Sequence, residues 1–191
     1  LLVFIMLISL YFTCYKVNVI SFSSKTPGKH VLIVAGTHGN EPAGSFALQR
    51  LINYLNKKPN SLKSGRLTII KNINKCGYFL NSRNYVNLSK KYDINRLYGR
   101  GFPINKQVEN IVDNADVILD IHEGWGYIQK DNSIGSSITF SNGVNTTTRK
   151  LFLKMMNHDI NIDHKRFIEL KAGIIPYSLR DYSKRKNKIY M

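Results

Sequence analysis

The run Val31-Leu32-Ile33-Val34-Ala35 most narrowly restricts what this chain can fold into. It is aliphatic at every position and too short for a buried helix, so it reads as a strand covered on both faces. Strands of that kind belong to sheets with helices packed on either side. The chain repeats the theme. Residues 41–56 place Phe46, Leu48, Leu51, Ile52 and Leu55 near helical spacing, with Pro42 acceptable in the first turn. Residues 67–70 read as a strand, 104–112 as a helix, 116–121 (DVILDI) as a third buried strand and 137–140 as a short fourth. Residues 146–158 read as a helix whose apolar side is Leu151, Leu153, Met155 and Met156. Residues 72–101 have no period and read as one long loop, a kind that is often functional. Alternation of strands and helices implies an α/β domain with a parallel or mixed sheet.

Length and composition narrow the function classes. At 191 residues the chain is one ordinary domain, and 43% hydrophobic residues exclude wholesale disorder. Cys14 and Cys76 cannot supply a disulfide framework, and the absence of CxxC or CxxH spacing excludes a zinc ribbon or redox motif. The formal charge of +16 raises nucleic acid or an anionic membrane as partners. Apart from a cluster over residues 180–188, however, the basic residues are scattered, and no nucleic-acid motif accompanies them. No nucleic-acid partner is expected.

The chain opens on Leu1, not Met, with the apolar run LLVFIMLISLYFTCY, a little short of the ~20 residues that span a bilayer. The expectation is a fragment with a signal-anchor or signal over residues 1–22, a tether over 23–29 and a domain over 30–191. The protein would then be membrane-anchored, or otherwise secreted. The competing reading is a buried first strand or helix.

Three places carry polar residues without a structural need for them. Gly36-Thr37-His38-Gly39-Asn40-Glu41 follows the first buried strand, at the end where α/β sheets bind ligands. His38 and Glu41 can offer a nitrogen and a carboxylate to one metal, with zinc the natural candidate. Equally, Glu41 could serve only the helix dipole and His38 only the loop. Asp120-Ile121-His122-Glu123-Gly124 ends the third buried strand, so His122 is a candidate third ligand. Asp120 shares its strand face and could accept from its other ring nitrogen. Asn81-Ser82-Arg83 and Asp93-Ile94-Asn95-Arg96 lie in the long loop, where guanidinium groups suit a substrate carboxylate or an oxyanion, or are merely solvated charge.

GTHGNEPAG, NSR, DINR and DIHEG, in that order, resemble the zinc carboxypeptidase superfamily, and within it the succinylglutamate desuccinylase/aspartoacylase branch. The resemblance implies a three-layer α/β/α fold with a mixed, mainly parallel sheet. It implies one zinc ion bound by His38, Glu41 and His122, and Arg83 as the residue that polarises the carbonyl. Asn95 and Arg96 would grip the substrate carboxylate, and Asp93 would support His38. The implied activity is hydrolysis of an amide next to a carboxylate-bearing residue. An N-acyl-amino-acid deacylase is favoured over a carboxypeptidase acting on peptide C-termini. The family's general-base Glu is expected on a strand that KNKIYM opens, beyond Met191. Glu169, the sole glutamate after Glu123, is a poor substitute. A degenerate hydrolase acting as a binding module is the rival from another class.

Overall fold

The structure is a computed structural model that describes residues 14–87, 90–129, 133–141 and 143–191. Its centre is a five-stranded sheet. In chain order its strands are β1 (Ile20–Ser23), β2 (His30–Ala35), β3 (Arg66–Ile70), β6 (Val117–Ile121) and β9 (Ile189–Tyr190). They lie side by side as β1-β3-β2-β6-β9. β3, β2, β6 and β9 run parallel, and only the edge strand β1 is antiparallel, so the sheet is mixed and mainly parallel.

The helices are α1 (Pro42–Lys57), α2 (Lys75–Phe79), α3 (Pro103–Val112), α4 (Thr146–Met156) and α5 (Leu179–Arg185). Successive residues of β2 point to opposite faces. Leu32 and Val34 join a core with Val108 and Val112 of α3 and Leu179 and Tyr182 of α5. Ala35 joins a second core with Leu48, Ile52 and Leu55 of α1. Two cores, one on each face, make the three layers of an α/β/α sandwich. Each fully buried Leu or Ile contributes roughly 1.5–3 kcal/mol, so the α1 face is firmly seated. Two small ribbons complete the chain: β4 (Tyr85–Asn87) with β5 (Lys90–Tyr92), and β7 (Ser137–Ile138) with β8 (Ile168–Glu169).

From β2 the chain crosses through α1 to β3 on one side, and from β3 it returns through α3 to β6 on the other. The carboxyl ends of β2 and β6 therefore adjoin where the winding reverses, with Ala35 opposite Ile121. Ligands of open α/β sheets bind at such a point.

Several expectations need correction. Residues 23–29 are not a free tether, since the Ser24 N–H donates to the Gly65 carbonyl and the Gly65 N–H to the Thr26 carbonyl; before them Ile20–Ser23 pairs with β3, Val17 is buried in the core, and Cys14 is disulfide-bonded to Cys76. The domain therefore begins well before residue 30. The remainder of the expected membrane segment, residues 1–13, lies outside the described residues. Among the described residues no helix is long and apolar enough to cross a membrane. The long loop contains α2 and the β4–β5 ribbon. The strand expected over 137–140 is only Ser137–Ile138. α4 buries none of its residues, and Leu151 and Met155 are exposed. It is held instead through Phe152 against Phe140, ring centroids 6.0 Å apart, and through Arg149, which donates to the Val144 carbonyl.

Candidate metal centre

The turn after β2 is built around close backbone approach. Gly36 has φ +64°, the left-handed region that favours glycine. Gly39 packs on α2, where a β-carbon would lie 2.0 Å from the Gly77 carbonyl carbon. The buried Asn74 ties the two together: its side-chain oxygen accepts from the Gly77 N–H, and its amide donates to the Arg83 carbonyl. That carbonyl also accepts from the Gly39 N–H. One buried asparagine thereby links α2, the His38 turn and Arg83.

Within this frame His38, Glu41 and His122 come together, one ligand atom of each lying within 4.8 Å of the others. His38 Nδ1 stands 2.7 Å from Glu41 Oε1, and His122 Nδ1 2.8 Å from Glu41 Oε2. The other ring nitrogens face aspartates: His38 Nε2 is 3.3 Å from Asp93 Oδ1, and His122 Nε2 3.3 Å from Asp120 Oδ2. Both imidazoles thus turn Nδ1 inward and are held from behind by a carboxylate, the usual arrangement of metal-ligating histidine. Two histidines and a carboxylate are the donor set of a catalytic zinc site with an open position, so the residues fit that ion.

Glu41 sits at the N-cap of α1 but makes no side-chain capping bond. Glu123 serves that end instead, accepting from the Ala43 N–H at 2.9 Å. The helix-dipole reading of Glu41 is therefore replaced: its carboxylate is turned to the histidines. Burial pushes the Glu41 carboxyl up, yet hydrogen bonds from His122 and His38 outweigh it and hold the group well below the usual carboxylate range. Burial pushes His122 down, but the Asp120 and Glu41 carboxylates prevail and raise it to about 10.

Arg83 donates to Glu41 Oε1 at 3.1 Å and lies 3.7 Å from Asp93 Oδ2, with half its side chain exposed beside the ligands. Asn95 and Arg96 lie on the single turn Ile94–Arg96, which Asp93 caps by accepting from the Asn95 N–H. Asn95 Oδ1 accepts from the Leu179 N–H at 3.0 Å, so its NH2 is the group left to donate. Burial raises the Asp93 carboxyl, but His38, Arg96 and Arg83 bring it down to about 2. The structure therefore brings His38, Glu41 and His122 together, with Arg83, Asp93 and Asp120 in contact with them, while Arg96 reaches the group only through Asp93 at 4.0 Å and the Asn95 side chain is bonded to Leu179. Glu169 is elsewhere engaged, paired with Arg149 at 2.5 Å.

The succinylglutamate desuccinylase/aspartoacylase catalytic domain matches residues 27–127, more than half the chain and the whole of this site. The chain belongs to that family. Solved structures of low identity share its fold. Csd4 of Helicobacter pylori with a bound tripeptide has a TM-score of 0.72 at 17% identity, over 92% of this chain and 49% of that one. A succinylglutamate desuccinylase from Silicibacter sp. gives 0.61 at 17% identity over 91% and 52%. An aspartoacylase family protein from Mesorhizobium loti gives 0.61 at 21% over 91% and 54%. This member of the succinylglutamate desuccinylase/aspartoacylase family spans about half the length of those relatives. No curated protein matches it.

Two supporting residues escaped the sequence reading. Glu123 was legible only as part of DIHEG, although a carboxylate at a helix N-terminus 80 residues away leaves no local signal. Asn74 precedes a short helix and is a standard capping residue, which is the signal that could have found it.

Proposed function

We propose that the chain carries the metal centre of a zinc-dependent hydrolase that cleaves an amide bond next to a carboxylate-bearing residue. The observation that carries this reading is the convergence of His38, Glu41 and His122 at the adjoining ends of β2 and β6. Zinc held by these three would supply Lewis-acid polarisation of a carbonyl and acidification of a water. The chain's own residues do the rest. Arg83 donates to the oxygen that gains charge as the carbonyl is attacked, and its hold on Glu41 and Asp93 keeps the guanidinium in place. Asn95 and Arg96 orient the substrate through its carboxylate. Asp93 and Asp120 hold the Nε2 protons of the ligating histidines.

An N-acyl-amino-acid deacylase is the first reading, supported by the family match. A carboxypeptidase is the second, favoured by the higher TM-score to Csd4, one structure of which is described as a D,L-carboxypeptidase with TM-score 0.70. A pure binding module would have no use for the inward-facing donor set. The Cys14–Cys76 disulfide supports residence outside the reducing cytosol, as a membrane-anchored or secreted protein would require.

The test is release of acyl acid from N-acyl amino acids, set against release of the terminal residue from peptides, with zinc and after chelation. Zinc-dependent acyl release supports the first reading and terminal-residue release the second. A zinc-loaded protein that carries the expected general-base Glu and is inactive on both would overturn the hydrolase.

A further inference from the structure

Asp120 is the most deeply enclosed carboxylate near the candidate centre, with its side chain fully buried. Oδ1 has no hydrogen-bond partner among the described residues, so Oδ2 carries the protein contacts. Two groups meet there. His122 Nε2 lies at 3.3 Å, and the Tyr190 hydroxyl donates at 2.8 Å. Tyr190 is itself buried, and its position is fixed by the ladder between β6 and β9. It stands opposite Ile118, the Met191 N–H donates to the Ile118 carbonyl, and the Asp120 N–H donates to the Met191 carbonyl. Ile118 and Asp120 lie two residues apart on one strand and so face the same way, which brings the phenol of the neighbouring strand to the carboxylate.

We propose that Tyr190 is a positioning residue for the metal centre. Its hydroxyl anchors the Asp120 carboxylate, which holds His122 by Nε2 and keeps Nδ1 turned toward Glu41 and the ion. The proposal rests on the metal-centre reading above. Without the hydroxyl, Asp120 keeps its burial and loses its second contact, so it can swing and take the imidazole with it. The shorter of its two contacts is the one to Tyr190.

Groups that hold a ligating histidine directly, as Asp120 holds His122, are typically worth about 10–100-fold in metal affinity, and Tyr190, acting through Asp120, stands at the lower end. The experiment is zinc affinity by chelator competition for the wild type, Tyr190→Phe, Asp120→Asn, the double variant and Tyr182→Phe. Tyr182→Phe is the control, since it also removes a tyrosine hydroxyl bond to an aspartate, that to Asp113 at 3.0 Å, but on a different carboxylate. Tyr190→Phe should weaken zinc binding roughly tenfold and the control should not. The double variant should bind as Asp120→Asn does, because the hydroxyl acts only through the carboxylate. The cobalt(II) absorption spectrum of the saturated proteins gives a reading independent of stability. It should change in Tyr190→Phe and stay as wild type in Tyr182→Phe. Wild-type zinc affinity and an unaltered cobalt spectrum in Tyr190→Phe would overturn the positioning role alone. So would a further full loss in the double variant. A wild type that binds no zinc would overturn the metal centre, and this proposal with it.

Discussion

Gly39 and Gly77 meet backbone to backbone: a β-carbon on Gly39 would sit 2.0 Å from the Gly77 carbonyl carbon and 2.2 Å from the Tyr78 nitrogen. Neither of those atoms belongs to a side chain that could move aside. The contact seats the turn bearing His38 and Glu41 directly on α2. Gly39→Ala must therefore push the turn and the helix apart, and overpacking that forces backbone to shift typically costs about 1–3 kcal/mol. Thermal melting should show the loss, and zinc affinity should fall with it. A variant as stable as wild type would mean that the two segments are not in contact.

The disulfide between Cys14 and Cys76 closes 62 residues and fastens the N-terminal segment to the same helix. Around it, the Gln107 side chain accepts from the Val17 N–H and donates to the Tyr15 carbonyl. Closing a loop of this length restricts the unfolded chain by about 4 kcal/mol. Cys14→Ser or Cys76→Ser should lower stability by up to that amount and make the wild type and variants melt alike under reductant. Melting of the wild type that reductant leaves unchanged would contradict the clamp.

Stability of the metal-free protein should depend on pH in two directions. Asp93 has its folded pKa depressed to about 2, so its contribution is full above the unfolded carboxylate range and is lost as pH falls toward 2. His122 has its folded value raised from 6.5 to about 10, so its contribution is full below 6.5 and is lost as pH rises through 10. Metal-free protein should therefore unfold more easily at about pH 9 than at about pH 6. Saturating zinc should remove that alkaline loss, because the ion takes the place of the Nδ1 proton. Denaturant melts with and without chelator across the range test both signs.

Arg83 and Arg96 should separate in kinetics. In the proposed roles, Arg83→Ala would remove a donor to the developing oxyanion, a loss that typically lowers kcat by about 10²–10³-fold. Arg96→Ala would remove binding common to substrate and transition state and so raise KM with kcat less affected. Arg83→Lys should rescue poorly, since one ammonium cannot reach Glu41 and Asp93 together in the planar geometry of a guanidinium. Equal KM effects from both alanine variants would contradict the division of roles.

The parts of the molecule legible in the sequence are those whose signal is local. β2 and β6 are runs apolar on both faces, and the metal motifs follow them directly, so strand and site were readable together. β1 was hidden because an edge strand with one half-buried side chain, Phe22 in ISFS, resembles a loop. The Asn95 bond to Leu179, the Glu123 bond to Ala43 and the Tyr190 bond to Asp120 join residues 70–84 positions apart, and no spacing rule reports them. α4 misled for the opposite reason. Its Leu and Met residues have the composition of a buried face, yet the described residues give it little to pack against beyond Phe140.

The most direct test of the account is the zinc content of the purified protein and of its His38→Ala and His122→Ala variants, measured by elemental analysis at neutral pH. The three converging candidate ligands form one group with the donor set of a zinc site, so the wild type should hold about one zinc per chain and each variant very little. Either no zinc in the wild type, or equal zinc in all three proteins, would contradict the metal centre on which the proposed hydrolysis depends.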